Sequence, residues 1–380
     1  MHAMAAFAGA CLRSKLSVIP KRMLASTQQS GAMSDVLFET KGNKGIITLN
    51  RPKALNALNL DMVRLIYPQL KKWENDRNMK MVILKAAGDK AFCAGGDVRA
   101  IAESGKGSDL SRDFFREEYL LNAKIGNLGV PIVSLIQGIC MGGGVGLSVH
   151  GNFRVVTENA VFAMPETQIG FFSDVGGSYF LPRLPGKLGA YLALTGRRMK
   201  GLDIVKAGIA THFTPKANLP NLEGDLLRIE EPDANRISHV LSKHQVDYKQ
   251  EFSEKQYVGR INTAFGADSV EKMIDILKED TSSWAKEVLD ELHKASPLSL
   301  KVTFELLKRG QKLNLPQCLI MEFRVSQNLL KYDDFFNGVT ARLITKSGSP
   351  SWNPKSLSDV TDDIVEGMFK AVPGLKDLDL

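Results

Sequence analysis

Cysteine, histidine and tryptophan are scarce in this sequence, at four, six and three of 380 residues. The four cysteines, Cys11, Cys93, Cys140 and Cys318, show no CxxC or other ligand spacing, so neither a disulfide framework nor a zinc site is indicated, and a reducing compartment fits. No apolar run approaches the ~18 residues of a membrane span. The apolar segment around Ile132 to Ile139 is short and broken by glycine, so a soluble chain with no membrane partner is expected. Walker loops, a dinucleotide-binding GxGxxG and an HExxH pair are also missing, and with them any reason to expect a metal or a nicotinamide cofactor.

Acidic residues are absent from the first 34 positions, which hold Arg13, Lys15, Lys21 and Arg22 among Ala, Leu, Met and Ser. That composition, without a long apolar core, reads as a mitochondrial transit peptide and implies a matrix protein; a disordered leader is the alternative and would leave the protein cytosolic. Setting those four charges aside, the net +7 falls to about +3, far from the basic domain that nucleic-acid binding needs. No nucleic-acid partner is expected. What remains, 44% hydrophobic and 24% charged, suits a globular protein with a sizeable core.

Strand-like runs at 45–49, 81–84, 132–136 and 153–156 alternate with helical patterns, of which Val63, Ile66, Leu70 and Trp73 form one apolar stripe behind a candidate cap at Asp61. Strand, helix, strand in repetition argues for an α/β fold. After about Pro182 the pattern is mostly helical. The stretch Thr214 to Asn235, rich in Pro, Asn and acidic residues, reads as an inserted connection rather than core. The expected organisation is a leader at 1–34, a core domain at 35–215 and a mostly helical region at 216–380 with an insertion near 216–235.

Two glycine segments carry the chemical signal. Ala91-Phe92-Cys93-Ala94-Gly95-Gly96-Asp97 follows a buried strand, and Gly138-Ile139-Cys140-Met141-Gly142-Gly143-Gly144-Val145-Gly146 runs into a helix whose first N–H groups lack internal partners. One N–H from each segment could converge on a carbonyl oxygen and stabilise the charge that develops when a thioester is enolised or attacked. Taken singly, such turns more often serve tight packing. Joined to Asn50-Arg51-Pro52, Leu55-Asn56-Ala57-Leu58, Ala163-Met164-Pro165-Glu166 and Ile169-Gly170, they resemble the signature of the crotonase (enoyl-CoA hydratase/isomerase) superfamily over about residues 36 to 210, with a weaker likeness at Ser296 to Lys301.

That resemblance implies a ClpP/crotonase-like fold: repeated ββα units around two near-perpendicular sheets, with a helical C-terminal region. It also implies an acyl-CoA substrate bound in a bent form, coenzyme A being part of the substrate and no separate cofactor being required, and an oxyanion hole made by the backbone N–H groups of Gly96 and Gly143. The superfamily's trimeric or hexameric habit makes a homo-oligomer an expectation that the sequence leaves open. Arg51, Lys53, Lys301 and Lys308 are candidates for the phosphates of coenzyme A.

The reaction must be argued from side chains around the hole. Hydratases of the superfamily place a glutamate two residues after the glycine triplet; here that position is Gly146, while the second family glutamate is present as Glu166. Half of the hydratase apparatus is missing. Asp174, in Gly170-Phe171-Phe172-Ser173-Asp174-Val175-Gly176-Gly177, and the run Gly144 to Gly151 resemble the superfamily's 3-hydroxyacyl-CoA hydrolase branch. The resemblance then implies hydrolysis of 3-hydroxyisobutyryl-CoA in mitochondrial valine breakdown, with 3-hydroxypropionyl-CoA as a second substrate. It puts Glu118, Gly143, Glu166 and Asp174 at the substrate, with Glu117 competing with Glu118. Glu166 is expected to act as nucleophile or general base and Asp174 to bond the 3-hydroxyl and shuttle a proton.

Rival readings are a crotonase-fold hydratase or isomerase, which would transform double bonds without releasing thiol, and a non-catalytic RNA-binding or scaffolding protein of the same fold, which would bind RNA in a salt-sensitive way. Outside its motif each carboxylate has a plainer reading, Glu166 as a first-turn residue and Asp174 as a turn former. Gly146-Leu147-Ser148-Val149-His150 is no nucleophile elbow, because His150 stands where the second glycine belongs. Cys93, with no histidine near it in sequence, reads as a small core residue.

Overall fold

Apolar runs without polar alternation become interior strands, because both of their faces meet apolar neighbours. The computed structural model describes residues 34–246 and 249–380, so the expected leader lies, apart from Ser34, outside the described residues. In chain order the strands are β1 (Val36–Lys41), β2 (Lys44–Leu49), β3 (Met81–Ala86), β4 (Ala91–Cys93), β5 (Ile132–Ile136), β6 (Ile139–Met141), β7 (Phe153–Val156), β8 (Val161–Ala163), β9 (Met199–Lys200) and β10 (His212–Phe213). They form a six-stranded sheet in the order β1-β2-β3-β5-β7-β10 and a four-stranded sheet in the order β4-β6-β8-β9. β2, β3, β5, β7 and β10 are mutually parallel and β1 closes one edge antiparallel. β3, β5 and β7 each hand the chain to a short parallel strand of the second sheet, β4, β6 and β8, before it turns away. This alternation is the ββα repeat that the resemblance implied.

The period of two in the large sheet divides two cores. Ile47, Leu49, Val82, Leu84, Ile132, Ile136 and Val156 face the main core. Ile46, Met81, Ile83, Val133, Leu135 and Val155 face the other way, onto Leu222, Leu226, Ile237 and Leu241. Those last four come from the helices Leu219–Arg228 and Ala234–His244. The stretch expected to be a mere connection therefore supplies core: Leu222 and Leu226 are fully buried, and either one truncated to alanine is expected to cost about 2–5 kcal/mol. The polar composition of that stretch describes only the outward faces of its helix.

The helix Leu60–Glu74 buries Met62, Val63, Ile66, Leu70 and Trp73, but its cap is Asn59, whose side chain accepts from the Met62 N–H at 2.8 Å, not Asp61. A longer helix, Asp109–Gly126, is capped by Ser108 and turns Phe115, Glu118, Tyr119 and Asn122 inward while leaving Glu117 outside. Beyond β10 the chain is helical, including Pro297–Gly310 and Leu315–Leu329. Among the described residues no helix is long and apolar enough to cross a membrane.

Candidate active site

The C-terminal ends of β4, β6 and β8 lie along one edge of the small sheet, because these three strands run parallel. That edge delivers Gly95-Gly96 after β4, Gly142-Gly143 after β6 and Met164-Pro165-Glu166 after β8. Each candidate donor follows a glycine of positive φ, Gly95 at +114° and Gly142 at +44°, a turn that side-chain-bearing residues resist. Among the described residues neither the Gly96 nor the Gly143 N–H has an acceptor. A Cβ on Gly143 would stand 3.0 Å from Gly96 N and 2.6 Å from Glu118 Oε1, so any side chain there would push the Glu118 carboxylate aside, and the Gly96 amide and this carboxylate border the same small space beside Gly143. A Cβ on Gly142 would be 2.9 Å from Glu166 Oε1.

Glu118, Glu166 and Asp174 are each buried, at 2%, 7% and 5% exposure. Glu117, the competitor in sequence, lies outside in an ion pair with Arg64 at 2.6 Å. Glu118 Oε1 has no hydrogen-bond partner. The Tyr119 hydroxyl donates to Asp174 Oδ2 at 2.7 Å, and Ser173 Oγ lies 3.4 Å from Glu166 Oε2. An aromatic wall of Phe115 stacked on Phe171 at 5.0 Å, with Phe172 beside it at 4.6 Å, backs this region.

Burial, and then the Asp174 and Glu166 charges, raise Glu118 well above the usual carboxyl range. Burial and then Asp174 do the same to Glu166, against the hydrogen bond from Ser173. Asp174 is pushed up by burial to about 7, with the Tyr119 hydroxyl opposing the shift. The Asp174 charge raises both glutamates and the Glu166 charge raises Glu118, so the three carboxyls titrate as a set and share protons among them. Such an arrangement can accept and return a proton near neutral pH, which acid–base chemistry at a thioester requires.

Position 146 has no room for a side chain. A Cβ there would be 2.7 Å from Val175 Cβ and 2.8 Å from Asn122 Nδ2. Asn122 and Val175 fill the volume that a hydratase glutamate would enter. Both amide atoms of Asn122 are buried without a partner. Val175 itself sits at φ +52°, a conformation that costs a β-branched residue on the order of 1–3 kcal/mol.

The decoys resolve locally. Ser148 Oγ donates to Gly144 O at 3.0 Å, and His150 Nε2 bonds Val175 O at 2.8 Å, so they do not engage each other. Cys93 is fully buried and burial pushes its thiol up to about 12, leaving no thiolate. Of the four cations proposed for coenzyme A, Arg51 pairs with Asp97 and Asp35 and Lys301 with Glu271, while Lys308, largely exposed, stands only in a loose surface pair with Glu305 at 3.6 Å. Lys53 is exposed and alone of the four has no ion-pair partner among the described residues. Tyr119, Ser173 and Asn122 were not singled out from the sequence. The signal that could have found Asn122 is its place one helical turn after Glu118 on the same face.

A family model described as enoyl-CoA hydratase/isomerase matches residues 44–369. The chain is 52% identical over 371 residues to a Xenopus tropicalis protein named 3-hydroxyisobutyryl-CoA hydrolase, mitochondrial, covering 96% of each chain. It is 50% identical over 360 residues to the Homo sapiens protein of the same name, covering 93% of each. Among solved structures, a carnitinyl-CoA dehydratase from Mycobacterium thermoresistibile is 39% identical, with a TM-score of 0.83 over 90% of this chain and 98% of that one.

Proposed function

The chain belongs to the enoyl-CoA hydratase/isomerase family, and on that premise we propose that it is a mitochondrial thioester hydrolase converting 3-hydroxyisobutyryl-CoA and water to 3-hydroxyisobutyrate and coenzyme A. The names of relatives at about half identity over nearly the whole chain support the substrate. The observation that carries the reaction class is at Gly146: a hydratase glutamate is absent and the space is taken by Asn122 and Val175, while Glu166 and Asp174 are kept. The dehydratase activity named for a structural relative is therefore not carried over to this chain.

In this reading the thioester oxygen accepts from the Gly96 and Gly143 amides, which are worth roughly 3–4 kcal/mol each to the tetrahedral state where such donors have been removed one at a time. Glu166 acts on the carbonyl carbon, as a nucleophile forming a mixed anhydride or as a base taking a proton from water. Asp174, titrating at about 7, bonds the substrate's 3-hydroxyl and returns a proton to the departing thiolate. Glu118 adds a buried acceptor beside the hole. The balance is one water consumed, one carboxylic acid and one thiol formed.

The test is a panel of 3-hydroxyacyl-CoA esters assayed with a thiol reagent. Thiol release with 3-hydroxyisobutyryl-CoA, with 3-hydroxypropionyl-CoA as a second substrate, is expected; double-bond hydration of an enoyl-CoA without thiol release would overturn the reading. Glu166→Gln should lose at least ~10³-fold in kcat while still binding coenzyme A.

A further inference from the structure

Residue 175 is the strained neighbour of Asp174, and the peptide that joins it to Gly176 is gripped on both sides. Its carbonyl accepts from His150 Nε2 at 2.8 Å, and its N–H, on Gly176, donates to Glu322 Oε2 at 2.7 Å. The other Glu322 oxygen accepts the Ser178 N–H at 2.9 Å and the Ser178 hydroxyl at 2.5 Å. A carbonyl only accepts, so the proton of His150 is on Nε2. Burial moves that imidazole down to about 4, which keeps it a neutral donor at working pH. Glu322 is fully buried on the helix Leu315–Leu329 and is met by three donors instead of a cation; they oppose the burial that pushes it up to about 8. Gly176 is at φ +81°, and a Cβ there would stand 2.4 Å from the His150 ring, so the grip leaves no room for another residue.

These contacts tie together three pieces of the molecule. His150 follows the short helix that begins at the oxyanion donor Gly143, Val175 and Gly176 follow Asp174, and Glu322 comes from the C-terminal helical region. A valine at positive φ relaxes unless something holds it, and here the holding bonds are on its own carbonyl and the next amide. We propose that His150 and Glu322 are positioning residues for the hydrolysis: by clamping the Val175–Gly176 peptide they keep Val175 in its left-handed conformation and fix the direction of the Asp174 carboxylate against Tyr119. This rests on the role proposed above for Asp174. Neither residue is among the groups assigned above to the substrate, and the partners of both are protein groups, so both act chiefly on the turnover step.

The experiment is steady-state thiol release by the full-length protein, with kcat and KM separated, for His150→Phe, His150→Gln, Glu322→Gln and Asp174→Asn. Phenylalanine keeps the ring packing beside Phe180 and removes the donor, glutamine restores a donor at similar reach, and Glu322→Gln turns one of two accepting oxygens into an amide nitrogen. Misaiming a catalytic group by an ångström can cost about 10²-fold. His150→Phe and Glu322→Gln are expected to lower kcat at least ~10-fold with KM within about twofold, and His150→Gln to return kcat to within about threefold of the unsubstituted protein. Should His150→Phe not fold, Glu322→Gln makes the same test from the other side of the peptide. A folded His150→Phe or Glu322→Gln of native kcat beside an inactive Asp174→Asn overturns the clamp and leaves the Asp174 role standing. A His150→Gln as impaired as His150→Phe also overturns it, since the hydrogen bond would then not be what matters. An active Asp174→Asn overturns the Asp174 role, and the clamp with it.

Discussion

Replacing Asp174 by asparagine removes a charge that the fold keeps only against burial, so the variant should gain stability as it loses turnover. The ordinary aspartate value of 3.8 is raised to about 7 in the folded protein. Three units at ~1.4 kcal/mol each give an upper bound of about 4 kcal/mol, and weakening the bond from Tyr119 returns about 1 kcal/mol of that. A net gain of about 2–3 kcal/mol is expected above pH 7. Its sign follows from proton binding: between the unfolded value near 4 and the folded value near 7 the native state holds more protons, so the unsubstituted protein loses stability as pH rises through that window. Below about pH 4 aspartate is neutral in both states and the advantage vanishes. Relief of Glu118 and Glu166, both raised in part by the Asp174 charge, acts in the same direction. Urea unfolding at pH 4, 6 and 8 measures it directly: the midpoint difference should be near zero at the lowest pH and grow to the highest. An advantage that shrinks as pH rises, or a variant less stable at pH 8, would refute the account of a buried, charge-penalised carboxylate.

Three further outcomes follow from the site. Glu118→Gln should lower kcat/KM by about 10–100-fold, whereas Glu117→Gln, which breaks only a partly exposed pair with Arg64, should stay within about twofold; equal effects would return the choice between them to open. Gly143→Ala puts a methyl 2.6 Å from Glu118 Oε1 and 3.0 Å from Gly96 N, so kcat should fall about 10²-fold or more with the far-UV circular dichroism unchanged, and native turnover in a folded variant would dismiss the oxyanion hole. Gly146→Glu meets Val175 and Asn122 at under 3 Å and should lower the thermal midpoint without creating hydratase activity; a gain of enoyl-CoA hydration would show that one missing glutamate was all that separated the two reactions.

Much of the core was legible because its physics is local. β2, β3, β5 and β7 are short, mostly apolar runs bounded by turn residues, broken only by single residues such as Thr48, Ser134 and Arg154, and composition and length suffice to find such strands. The three-residue β4, β6 and β8 are too short to show a period, yet they carry the site, and only motif resemblance pointed to the residues at their ends. The helix Leu219–Arg228 misled because its two buried leucines are diluted by Pro, Asn and acidic residues that face outward. Motif resemblance alone favoured Glu118 over Glu117 in the sequence; that one is buried and the other paired with Arg64 depends on the helix phase, which packing sets. Glu322 carried no signal at all: one carboxylate in an apolar helix reads as exposed until three donors from another segment are seen around it.

The grip on residue 176 also sets a schedule. Its acceptor lies 146 residues further along the chain, and at the ~5–20 residues per second of protein synthesis that interval is roughly 7–30 s. During that time the segment carrying Asp174 has been made and its partner helix has not. The sheet edge with Gly96, Gly143 and Glu166 can assemble from what is already present, but the newborn chain holds the Asp174 loop without its far anchor until almost the whole polypeptide exists.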